Sequence, residues 1–388
     1  MRDKQKHFAV NWIDGMKINK NHFIDQDNAW LDSLQANASL SATPLRYGIL
    51  AATAAGEETF NVKISYDNQN TIRVSVLACQ AITSGGAFIS LPAFSTIGQA
   101  ETGNMLSSTF PLTISGAEST WWVFLFVHPF EKQAAGSPDL TETPPRLPNV
   151  LPTYTLQLIS DTNYRQYASH PYAIAIGKIM VVNNDVRIDQ DYLPPCFSIN
   201  AHPDLLSLHS ELDKYLADAE LHCSEIVQKI FRKSQQNEIS DLVMFLCDRV
   251  IQYLGQAITN MRWNMMYQAP ATMFESISVM ARIMKNSIDM RIGSGKEELM
   301  NYLSEWCELK QGELETMLSS LANTSFDQND MNKNIQKIVQ FVKVTSRLFD
   351  TLSKLEFIGK RRDSGIFVKE EAVQQPDNQT KPRRRFLG

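Results

Sequence analysis

At 388 residues, the chain is long enough for two or three domains and a sizeable core. Apolar residues make up 43% and charged residues 20%, which excludes a wholly disordered or fibrous chain. The formal net charge of -5 gives no general attraction to nucleic acid or to an anionic membrane. Cys79, Cys196, Cys223, Cys247 and Cys307 are widely separated and form no C-x-x-C pair, so neither a disulfide framework nor a zinc site is expected. A reducing cytoplasm suits them. The opening Met-Arg-Asp-Lys-Gln-Lys has no apolar run behind it, so no signal peptide is expected. The longest wholly apolar run, Trp121 to Val127, is far short of the roughly 20 residues of a membrane helix.

The first element is a segment over residues 1–30 that is unusual for its setting. Trp12, Met16, Phe23 and Trp30 are spread through a stretch too polar for a core strand. Large apolar residues on a polar segment are what a docking peptide needs; packing onto its own domain is the ordinary alternative.

Residues 31–202 read as β. Phe60, Val62, Ile64 and Tyr66 alternate with polar residues, Asp67-Asn68-Gln69-Asn70 turns the chain, and Ile72, Val74 and Val76 resume the alternation. That is a hairpin with one buried face. Trp121–Val127, apolar on both faces, suits a central strand. The prolines between 131 and 152 predict an extended surface loop that makes contacts. Ala173–Val182 and Val186–Ile188 flank Asn183-Asn184-Asp185 as a second hairpin. Short antiparallel strands of this kind predict a β-sandwich.

Residues 203–358 read as helix. Glycine and proline fall from 10 and 12 over residues 1–202 to 4 and 2 here, as helix interiors require. Pro203 and Asp204 suit a first helical turn. Apolar stripes then run Leu205–Ile230, Val243–Met265 and Met273–Ile288 at spacings mostly of three and four, and Leu299, Leu303, Trp306, Leu309, Leu314, Met317 and Leu321 belong to a fourth. The last, Ile335, Ile338, Val342, Thr345, Phe349 and Leu352, steps like a coiled-coil seam. Phe341, Leu348 and Leu355 widen it, so this helix is buried on more than one side. It sits inside a bundle, or the bundle meets copies of itself. Residues 359–388 read as a basic, flexible tail with Lys360-Arg361-Arg362 and Arg383-Arg384-Arg385, whose ordinary state is solvated.

No catalytic motif is visible. Gly293-Ser294-Gly295-Lys296 lacks the earlier glycine of a phosphate loop, has Met290 in its place and Glu297 after the lysine, and reads as a helix-to-helix turn. The histidines His7, His22, His128, His170, His202, His209 and His222 contain no metal-binding spacing. There is no G-x-S-x-G elbow. The methionines between Met261 and Met284 read as core filling, with an adaptable groove as the alternative. A hydrolase site assembled from scattered β-domain residues remains a third class of reading beside scaffold and binding module.

Two stretches carry a family resemblance. Trp12, Asp14, Gly15 and Met16, followed by His22, Phe23 and Gln26, resemble the opening signature of the TssK family, also called VasE or ImpJ, the baseplate subunit of bacterial type VI secretion. The family commonly has Glu at the position of Asp14 and Pro-Gln at that of Lys20-Asn21. Asp191-Tyr192-Leu193-Pro194-Pro195-Cys196, with Ile199, Ala201 and Leu205, is similar to the family's Pro-Pro lead into its first long helix. The resemblance implies an α+β protein with no catalysis and no cofactor or metal. It implies a β-sandwich shoulder that binds the TssF–TssG wedge through Trp12, Asp14, Gly15, Met16, His22, Phe23 and Gln26. It implies a helical neck that forms a homotrimer along Ile335, Ile338, Val342, Phe349 and Leu352. The implied location is cytoplasmic, at the inner face of the inner membrane, without a membrane span. The family's head domain attaches to the TssJ, TssL and TssM membrane complex. Residues after 358 are too few for that head, which leaves Arg383, Arg384 and Arg385 as the expected envelope-side contact. A phage-like receptor-binding or tail adaptor protein is the alternative function.

Overall fold

The structure, a computed structural model, describes residues 6–67, 70–92, 106–112, 118–183, 185–235, 237–307 and 312–359. The chain divides into two compact units: residues 1–202 with 269–271 and 327–332, and the remainder. Two short segments of the helical half therefore group with the first unit, a detail that the fall in glycine and proline does not reveal.

The first unit opens with a helix that crosses the expected boundary between the docking segment and the β-domain: α1, Lys20–Ala38, runs through residue 30. Two antiparallel sheets follow. In one, β3 (Thr71–Ile82) is flanked by β2 (Phe60–Tyr66) and β1 (Gly48–Ile49) on one edge, and by β5 (Leu106–Pro111) and β4 (Phe88–Leu91) on the other. The β2–β3 register pairs Ile64 with Val74 and Tyr66 with Ile72, the hairpin that the alternation predicts. Ile72, Val74 and Val76 are buried while Arg73 between them is exposed, so one face is sequestered.

The other sheet runs β7-β6-β8-β9. Its strands are β6 (Ser119–Ala135), β7 (Asn149–Ser160), β8 (Ala173–Val182) and β9 (Asp185–Ile188), and a helix α2 (Asp161–Ala168) follows β7. Trp122 to Val127 are all buried in the central strand β6. The expected 131–152 loop is shorter than proline content suggests. Lys132 pairs with Pro152 and Ala135 with Asn149, so only residues 136–148 lie outside the ladder. The register jumps between His128 and Lys132, and this bulge accommodates Pro129 and Pro152, which lack an N–H.

Residues 327–332 are seated in this unit by polar contacts. Gln328 Nε2 donates to the carbonyls of Tyr47 (3.1 Å) and Cys196 (2.8 Å). The Tyr192 hydroxyl donates to Asn329 O at 2.9 Å. Lys178 Nζ lies 3.0 Å from Asp330 Oδ2, with the two side chains 11% and 2% exposed. It also sits 4.9 Å from the Trp122 ring, which stacks on Tyr164 at 4.4 Å. Tyr164 donates to the Asp327 carboxylate at 3.1 Å. The Pro-Pro stretch joins β1 here. Ile49 N donates to Pro195 O at 2.7 Å and Phe197 N to Ile49 O at 2.9 Å. Gly48, at φ +116°, is required because a Cβ would lie 1.9 Å from Pro195 O.

The second unit is helical: α3 (Pro203–Arg232), α4 (Glu238–Trp263), α5 (Pro270–Asp289), α6 (Lys296–Cys307), α7 (Glu313–Ala322) and α8 (Met331–Lys354), of which Pro270, Ala271, Met331 and Asn332 group with the first unit. The stripes of α3, α4 and α5 are buried along their length. The Leu299–Leu321 stripe spans two helices rather than one, with Gly312 at φ +83° starting α7; Leu309 within it lies outside the described residues. Met261, Met265, Met273, Met280 and Met284 are fully buried and fill the core, while Met266 is half-buried. Gly293-Ser294-Gly295 turns the chain between α5 and α6, and Lys296 pairs with Asp289 and Glu315, both at 2.8 Å. That lysine is committed to carboxylates, as a phosphate-loop lysine is not. Tyr215 donates to Thr345 Oγ1 at 2.7 Å, because the threonine hydroxyl itself donates to Phe341 O. Among the described residues no helix is long and apolar enough to cross a membrane, and no group of three or more His, Cys, Asp or Glu could hold a metal.

Candidate protein-docking site

The N-terminal segment and α1 form one surface. Asn19 caps the helix: its side chain accepts from Asn21 N at 2.8 Å, and its own N–H donates to His22 Nδ1 at 3.3 Å. The preceding chain runs back along the helix. Lys6 N and His7 N both donate to Asp32 Oδ2, at 2.7 and 2.9 Å, and Val10 N donates to Gln26 Oε1 at 3.0 Å. The His7 ring lies 4.2 Å from Phe130 of β6. At its other end α1 presses on the turn before β4, where a Cβ on Gly86 would lie 2.4 Å from Gln35 O. The segment is thus clamped to its own unit.

The helix that results is inverted. Its buried positions are Asn28, Ala29 and Gln35. Its exposed positions include Phe23 (57%), Trp30 (64%) and Leu34 (63%), which are seven and four residues apart and share one face. Trp12, 46% exposed, stands 6.1 Å from Phe23 and 6.2 Å from His22 and extends that face. Phe8, Ile13, Ile18, Ile24 and Leu40 are exposed in the same stretch. A run of large apolar side chains turned outward on a clamped backbone has the make-up that a preorganised protein-binding surface requires.

The seven residues of the opening signature divide by position. Trp12 and Phe23 are exposed. His22 and Gln26 are half-buried and hold the cap and Val10. Gly15, at φ +78°, allows the turn in which Met16 N donates to Ile13 O at 3.2 Å; Asp14 is exposed on that turn and Met16 half-buried. Phe8, Ile13, Leu34 and Leu40 escape notice in the sequence, although a helical wheel drawn from Lys20 places Leu34 beside Phe23 and Trp30.

The other expected site residues lie elsewhere. Ile335, Ile338, Val342, Phe349 and Leu352 are all 4% exposed or less within the single chain. Their side chains pack inside the single chain. Arg383, Arg384 and Arg385 lie outside the described residues, as do Lys360, Arg361 and Arg362.

No protein-family model matches the chain, and no curated protein matches it. Solved structures do. The chain is similar to a crystal structure of TssK at 11% identity and a TM-score of 0.45, covering 88% of this chain and 69% of that one. It is similar to a chain of the type VI secretion TssK–TssF–TssG baseplate subcomplex at 12% identity and a TM-score of 0.42, covering 89% and 100%. A nanobody complex of TssK from the EAEC type VI secretion system aligns at 12% identity and a TM-score of 0.40, covering 84% and 99%.

Proposed function

We propose that the chain is a structural baseplate subunit of a type VI secretion system, an adaptor that performs no reaction. Its two-sheet unit is a shoulder of β-sandwich type that docks the TssF–TssG wedge, and its helical unit is a neck that brings three copies together. The adaptor works in the cytoplasm, at the inner face of the inner membrane, and links the wedge to an envelope-side anchor. One observation carries the reading: α1 keeps polar residues inside and turns Phe23, Trp30 and Leu34 outward beside Trp12. A protein hides such a face only in a complex. The Trp12–Gln26 and Asp191–Leu205 signatures support the choice of partner.

The trimer contact in this reading uses exposed apolar residues of the helical unit, such as Trp263, Met290 and Ile292, and not the filled α8 seam. Co-purification with a TssF–TssG wedge tests the docking half. A chain lacking residues 1–25 loses the wedge and stays folded; undiminished wedge recovery sinks the assignment. Sedimentation at micromolar concentration tests the neck, where a trimer is expected and a monomer contradicts it.

A further inference from the structure

A second surface of the first unit is shaped for a ligand. A cleft of about 700 Å3 opens between β2 and the β8–β9 hairpin. Strand β2 is an outer strand, and among the described residues β3 is its only ladder partner. Its far edge carries no ladder bond among the described residues, as an edge that accepts another strand must.

The cleft owes its shape to two irregularities of the backbone. The β2–β3 register slips between Asn61 and Val62, which leaves Leu77 unpaired. The β6–β8 register slips between Val123 and Phe124, which leaves Ile176 unpaired. Both unpaired residues line the cleft. Bulges re-aim side chains and gather beside binding sites, and two that converge on one cavity make a built feature. Gly177 completes it, because a Cβ there would lie 2.3 Å from Ile64 Cδ1.

One carboxylate sits in this apolar setting. Asp189 N donates to Lys178 O at 3.0 Å, and Asp189 Oδ1 accepts from Asp191 N at 3.1 Å. No ion pair of the described residues includes Asp189, since Lys178 is engaged by Asp330. Burial pushes its carboxyl above the usual range despite the pull of Lys178, with Asp191 and Asp330 adding to the rise. An incoming cation relieves that cost. Lys63 on the rim is the one basic residue of the lining.

We propose that this cleft takes an extended peptide segment of a partner protein, laid along β2 and presenting a lysine or arginine to Asp189. Main-chain bonds to β2 hold the peptide, the half-buried Leu77 and Ile188 receive its apolar side chains, and Asp189 selects the charge. This site is separate from the N-terminal docking surface and stands whether or not the wedge is its partner.

Two fluorescein-labelled octapeptides of alternating threonine and valine test it on the full chain by anisotropy, one with a central arginine and its twin with glutamate. The arginine probe binds about tenfold more tightly or better, as a charge-assisted pair requires. Methylating alternate backbone nitrogens of that probe removes its binding, because strand addition needs those donors. Asp189→Asn erases the preference, and Trp12→Ala leaves it intact. The proposal is overturned if neither probe binds, if both bind equally, if the methylated probe binds as well as its parent, or if the cleft proves covered by a second copy in sedimentation.

Discussion

Helices α1 and α8 both carry large apolar residues and put them to opposite use. In α8 the apolar lines meet the chain's own helices, and Phe341, Val342, Leu348, Phe349 and Leu352 are buried. In α1 the polar Asn28 and Gln35 are inside, while Phe23, Trp30 and Leu34 face outward. The lesson concerns which apolar pattern marks an interface. A regular seam is satisfied most cheaply within one chain. An inverted helix leaves its large apolar side chains in water, which is the pattern of a surface that a partner covers.

The sharpest way to break this contrast is to truncate one residue of each helix. Phe349→Ala opens a cavity in a packed bundle and should cost about 3–5 kcal/mol of stability, read by denaturant unfolding. Trp30→Ala should change stability by about 0.5 kcal/mol or less. Comparable losses at the two sites would erase the distinction. Lys178→Met tests the buried charge that seats residues 327–332. It removes the cation that faces the buried Asp330, and a loss of about 3–5 kcal/mol is expected. Replacing both partners by apolar residues of similar size should recover most of it, and equal damage from the single and double changes would contradict the pairing.

A smaller effect is set by pH. Burial holds the Tyr47, Tyr164 and Tyr192 hydroxyls well above the ordinary tyrosine range, with the Asp327 charge adding to the rise at all three. Folded values above unfolded ones give stability that is whole below about pH 10 and fades as pH rises beyond it. Absorbance at 295 nm should therefore show these tyrosines ionising only as the first unit unfolds, and early ionisation of all 11 tyrosines would contradict their burial.

Much of the fold was legible because its elements obey simple periods. The β2–β3 hairpin follows from alternation ending in Asp67 and resuming at Ile72, and the central place of β6 follows from a strand apolar on both faces. The helical stripes were readable for the same reason. What escaped was non-local. Residues 327–332 join the first unit through hydrogen bonds to Tyr47 and Cys196, more than a hundred residues away. The Leu299–Leu321 stripe belongs to two helices, because Gly312 starts a new one. Helix α1 was hidden because its apolar face is the wrong one for a core. The anchors Trp12 and Phe23 stood out by their polar surroundings, but Leu34 and Phe8 become part of the surface only once the helix and its clamp are in place. The β2 cleft depends on two register slips that no composition reveals.

The central claim is that the outward face of the N-terminal segment and α1 is a docking surface that the fold itself does not need. A titration of a TssF–TssG wedge against the Trp12→Ala/Phe23→Ala chain measures this most directly, with a thermal melt of the same sample. The account predicts a loss of affinity worth about 2 kcal/mol or more, with the melting temperature unchanged. Unchanged affinity, or a lowered melting temperature that accounts for the loss, would contradict it.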